Sequence, residues 1–253
     1  MNTESTMNRG RQSLLRIRWI LLKEFASFPG SGSPAVSLTV AVFLAGLVSV
    51  LLALSQGATY ERVTAFMLNY FYILTLVFSV FLTMNTFVAE KRQGTLDLLY
   101  TLPVTDFELV TGKILMNLVV LAALILLLDI IYVIGIAETP FYQAFAAYVG
   151  FLMAAYYAVA LGVFASAVSE SPLLALLISA CVLAIVDFGG FFSGLFPSPA
   201  REIFSHFHAF NQFLPFARGV IPLKGTVLFL SGGVLFHFLA VKALEFRRFR
   251  GWN

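Results

Sequence analysis

Several stretches of about 20 or more residues in this chain carry no Asp, Glu, Lys or Arg, and that is the length a helix needs to cross roughly 30 Å of hydrocarbon. Residues 64–89 and 144–168 are entirely of this kind. A soluble core offers no alternative home for them. Of 253 residues, 60% are hydrophobic and 11% charged, against roughly 45–50% and 25% in an ordinary soluble domain. Lipid is the solvent this composition requires, and the expected fold class is an all-α integral membrane protein.

Cutting the chain at its charges predicts six transmembrane helices, at 35–54, 64–89, 114–137, 144–168, 173–195 and 225–241. Gly57, Pro140 and Pro172 fall between spans, where a turn costs little. No long polar segment or Gly/Ser linker remains, so residues 1–253 read as one membrane domain. Arg16, Arg18 and Lys23 interrupt the first apolar run and no small-residue cleavage site follows, unlike a cleaved signal. With six spans and a cytoplasmic N-terminus, only Arg62, Arg201, Arg218 and Lys224 of the 16 basic residues lie outside. The positive-inside rule therefore predicts a multi-pass protein of the cytoplasmic (inner) membrane with both termini in the cytoplasm. The formal charge of +3 reflects this topology and attraction to anionic lipid, and gives no reason to invoke nucleic acid.

The segments between spans carry more pattern than the spans. Over residues 11–28, Leu14, Ile17, Leu21, Leu22, Phe25 and Phe28 share one helical arc, with Arg16, Lys23 and Ser27 roughly opposite. This predicts an N-terminal interfacial helix with Arg18 snorkelling; a basic flank without fixed structure is the alternative. After the second span, Gly94 can take the left-handed conformation that ends a helix, and Thr95 can cap the next. A short helix then spans about 95–102, with Leu96 and Leu99 on one side and Leu98 and Leu102 near it, and Pro103 stops it. Thr105-x-x-Glu108 is a capping box that opens the third span. The apolar side of the short helix has to be buried in lipid headgroups or in another protein.

Chemistry-bearing residues are few. There is no G-x-x-x-x-G-K-[ST] loop to cradle phosphates, so any ATP hydrolysis has to come from another polypeptide. His206-x-His208 lacks the Cys or carboxylate neighbours of a metal site, and Cys181 stands alone inside the fifth span, where a packing role is expected. Asp129 and Asp187 lie at similar depth in the third and fifth spans, where an ionised carboxylate has to face protein or water. Each reads as a polar lining of a translocation path or as a hydrogen-bonded or neutral acid; the second reading is favoured for Asp129. His237, Asn69, Asn85 and Asn117 are expected to hydrogen-bond between helices. In the fourth span Ala146, Gly150, Ala154, Ala158, Gly162 and Ser166 recur at every fourth position. Such a row drifts by ~40° per step, so two neighbouring helices are expected to share it. Phe204, Phe207, Phe210, Phe213 and Phe216 recur every third residue, which predicts a helix or re-entrant segment in the external interface.

The run from Glu90 to Thr105, EKRQGTLDLLYTLPVT, followed by Gly112 and Lys113, resembles the signature of the ABC-2 type transporter permease family. ALGVFASAVSES at 160–171 resembles a second marked stretch of that family. FLPFARGVI at 213–221 and LEFRR at 244–248 are similar to its gliding-motility-associated subgroup. The resemblance implies a non-enzymatic transmembrane subunit of an ATP-driven exporter. It implies pairing with a second permease subunit, as homo- or heterodimer, and docking of cytoplasmic ABC ATPase subunits that bind ATP and Mg. The chain itself would hold no cofactor. It also implies that Gly94, Thr95, Leu96, Leu98, Leu99 and Pro103 form the coupling element, with Glu90, Lys91 and Arg92 at its polar rim. A membrane anchor that passes ATPase work to an envelope machine without moving solute is the alternative, and a polytopic membrane enzyme comes third.

Overall fold

The computed structural model describes residues 15–22, 40, 44, 60–96, 104–135, 140–192, 197 and 209–250, and all of its regular structure there is helical. After a helical stretch at 15–22 come α1 (Tyr60–Thr83), α2 (Val88–Arg92), α3 (Asp106–Gly135), α4 (Phe141–Val168), α5 (Pro172–Phe192), α6 (Ala209–Ala217) and α7 (Leu223–Arg250). Among the described residues five helices are long and apolar enough to cross a membrane: α1 continued through α2, α3, α4, α5 and α7. The chain is an all-α, multi-pass integral membrane protein. The expected first span at 35–54 lies outside the described residues apart from 40 and 44, as do most of the 95–102 helix, Phe204, Phe207, His206 and His208.

α4 is the axis of the bundle. Inside the protein 72% of its span is buried, against 28% for α5 and for α7. It packs most extensively on α7, then on α1 and α3, then on α5 and α6. Small residues permit this. Ala154 and Ala158 are fully buried. Gly150 backs onto Phe216 of α6, where an added Cβ would stand 2.7 Å from the ring, and Gly162 backs onto Thr83 of α1. The outer helices show lipid the opposite face: Leu173, Leu177 and Ile185 on α5, and Leu223, Val227 and Val234 on α7, are exposed. Cys181 belongs to that outward face and does not pack inside the protein.

Two boundaries differ from the sequence reading, those of the second and last spans. The second span does not run unbroken to Ala89. Thr75, Ser79 and Thr83 donate their hydroxyls to carbonyls four residues back, at 2.8, 2.7 and 2.6 Å, a pattern that loosens a helix, and a turn at 84–87 then separates α1 from α2. The capping box expected to open the third span forms, and α3 starts at Asp106: Thr105 N–H donates to Glu108 Oε2 at 3.0 Å and Glu108 N–H to Thr105 Oγ1 at 3.2 Å. α7 continues to Arg250, well past 241, carrying its basic last turns beyond the apolar core. The aromatic segment is indeed helical at α6, but Phe213 and Phe216 are wholly buried against the bundle and do not serve as interfacial anchors.

Candidate coupling site at the charged end of the bundle

The turn 84–87 and α2 leave backbone groups that α1 no longer satisfies, and side chains from two other helices take them up. Ser166, fully buried in the last turn of α4, accepts from Phe87 N–H at 2.9 Å and donates to the Met84 carbonyl at 3.2 Å. Lys113 of α3 donates to the Thr86 carbonyl at 3.0 Å and pairs with Glu90 at 2.9 Å, its ammonium 5.1 Å from the centre of the Phe87 ring. The Lys113 side chain is only 2% exposed and that of Glu90 14%, so this is a buried ion pair, with a further hydrogen bond on the Lys113 side and Glu90 Oε2 without a partner among the described residues.

Lys91 is spent differently. Its Nζ reaches the carbonyls of Ser166 at 2.9 Å, Ala167, and Ser169 at 2.9 Å. These belong to the end of α4, where the last carbonyls lack intrahelical partners and the helix dipole is negative. Lys91 thus caps α4 from another element. Two looser pairs close the ring: Arg16 stands 3.7 Å from Glu108 and Arg248 stands 3.8 Å from Asp106. Ile20 of the 15–22 helix lies against Gly112, so this stretch docks on the first turns of α3.

The expected docking residues separate into two groups. Glu90 and Lys91 turn inward, and Leu96 is buried in the protein's own core at 3% exposure. Thr95 is half-buried and donates to the Glu90 carbonyl at 3.3 Å, so its hydroxyl points back along the chain. Gly94 is exposed at φ +66°, the left-handed conformation a side chain resists, with nothing within 4 Å of where a Cβ would sit. Arg92, Gln93 and Gly94 are the exposed tip. Leu98, Leu99 and Pro103 lie outside the described residues. Sequence reasoning missed Lys113 as a partner of this stretch; the available signal was a lone cation heading an otherwise apolar run.

Deep in the bundle a second polar group forms. Tyr72 of α1 donates to Asp187 Oδ1 of α5, and Asp187 is fully buried. The Tyr72 ring stacks on Phe213 of α6 at 4.5 Å. Asp187 Oδ2 and the buried Tyr157 hydroxyl have no partner among the described residues, and neither has Asp129 Oδ1 on α3. His237 does join helices, with Nε2 3.1 Å from Thr111 Oγ1 of α3. Asn117 instead bonds the Lys113 carbonyl of its own helix at 2.8 Å, and Asn69 Oδ1 has no partner among the described residues. No group of three or more His, Cys, Asp or Glu that could hold a metal occurs among the described residues.

A helical bundle with an apolar outer face, one end held by ion pairs and a glycine-tipped loop between two spans, defines a polytopic membrane protein. The family model described as ABC-2 family transporter protein matches residues 49–232, and the chain belongs to that family. No curated protein matches it.

Proposed function

We propose that this chain is the permease subunit of an ABC-2 type exporter, paired with a second permease subunit and driven by ATP hydrolysed on separate ABC ATPase subunits. The carrying observation is the build of the loop after the second span. Its exposed tip at Arg92–Gln93–Gly94 stands on α2, which Lys113 and Lys91 bond to α3 and α4, and it leads to the capped start of α3. A tip on a stiff mount can pass on displacement, whereas a slack loop would absorb it.

Six spans, with 35–54 as the first, and a cytoplasmic position for the tip and both termini complete the reading. The clustering of Arg16, Lys91, Lys113 and Arg248 at one end of the bundle supports that orientation. Asp129 and Asp187 each keep an unpartnered oxygen and are the candidates for polar pathway residues. Asp187, bonded to Tyr72, ties helices together. The resemblance of 213–221 and 244–248 to gliding-motility-associated permeases is the sole support for a subgroup. Co-purification tests the main claim: an ABC ATPase follows the wild-type chain from membranes and is lost from a Leu98→Asp/Leu99→Asp variant that still inserts. Retention of the ATPase by that variant would remove the coupling role.

A further inference from the structure

The stretch between α1 and the tip is bonded more heavily to α4 than to the helix that precedes it. Ser166 holds both the Phe87 N–H and the Met84 carbonyl, and the Lys91 ammonium sits on the carbonyls of Ser166, Ala167 and Ser169. Charge-assisted bonds of this kind are short, directional and stronger than neutral ones. The turn at 84–87 meanwhile interrupts the regular helical hydrogen bonding through which a push on the tip would otherwise climb α1.

α4 is a single helix of 28 residues without a break. Sixteen residues before Ser166, about 24 Å along the axis at ~1.5 Å per residue, Gly150 forms the notch that receives Phe216 of α6. α6 in turn places Phe213 on Tyr72 and Phe151 at ring distances of 4.5 and 4.9 Å. The notch has no slack, because even a methyl group at Gly150 would stand 2.7 Å from the Phe216 ring. Axial displacement or tilting of α4 therefore has to move α6 or expel Phe216.

We infer that Lys91 is a positioning residue that delivers displacement of the 92–94 tip to α4, and that α4 carries it through the Gly150–Phe216 notch to α6 at the opposite end of the bundle. This rests on the tip being the ATPase seat proposed above. Lys113, bonded to the same short helix, serves the other branch and delivers displacement to α3.

The two branches separate by hydrogen–deuterium exchange on the complex of this chain with its co-purifying ATPase in nanodiscs, nucleotide-free and trapped with ATP and vanadate. In the wild type, trapping changes exchange at 84–92 and at 209–217, the latter by roughly tenfold. In Lys91→Met the change at 84–92 persists while the change at 209–217 disappears, and Lys91→Arg, which keeps the cation, restores it. Ser166→Ala, which retains the charge, reduces the response at 209–217 in part and provides the reading if Lys91→Met does not assemble. A full response at 209–217 in both Lys91→Met and Ser166→Ala overturns the inference while leaving the docking role intact. A wild-type complex in which 84–92 does not respond at all identifies failure of the docking role itself.

Discussion

The charged end and the interior of the bundle hold their polar groups in different ways. At the charged end, Lys113, Glu90, Lys91 and Ser166 share partners across α2, α3 and α4, so most groups have more than one bond, although Glu90 Oε2 is left over. In the interior the Tyr72–Asp187 contact joins α1 to α5, with Asp187 Oδ2 left over. The first arrangement gives stiffness where a partner would apply force. The second gives one adjustable tie among close-packed rings, in surroundings where each unpaired polar atom is costly.

That contrast can be tested by removing one partner at a time and following thermal unfolding in detergent. Lys113→Met has the largest effect, because it strands Glu90 in a site only 14% exposed. Breaking a buried pair from one side costs about 3–5 kcal/mol, and the Lys113→Met/Glu90→Gln double variant should recover part of that loss. Recovery absent from the double variant would mean the ion pair is not what holds α2 to α3. Tyr72→Phe comes next. It removes the hydroxyl that Asp187 accepts from and keeps the ring on Phe213, costing about 1–3 kcal/mol. Adding Asp187→Asn to Tyr72→Phe should then cost less than Asp187→Asn alone. Thr105→Ala is the smallest, about 1 kcal/mol for loss of one side of the capping box. Its effect should be confined to faster amide exchange in the first turn of α3.

What the sequence made legible was local. Gly94 adopts positive φ and Thr105 and Glu108 bond each other because their partners lie within three residues. What was not legible depends on distant partners. Asp187 finds Tyr72 at a separation of 115 residues, and the break at 84–87 is supported by Ser166, about 80 residues away. The outward face of Cys181 was misread for a related reason. In water, polarity marks the outer face of a helix, but in lipid the outer face of α5 is apolar too, and packing against neighbours decides which side is buried. The candidate coupling element shares this ambiguity: Leu96 is buried in the protein's own core, where periodicity alone would equally have offered it to a partner.

The proposed seat of the ATPase is tested most directly by photo-crosslinking from single sites in intact cells. A photoreactive residue at Gln93, on the exposed tip, should give an adduct with an ABC ATPase, and the same residue at Leu96, turned into the bundle, should give none. The contrary result is a Gln93 site that captures no ATPase while a membrane-impermeant thiol reagent added from outside reaches a cysteine placed there.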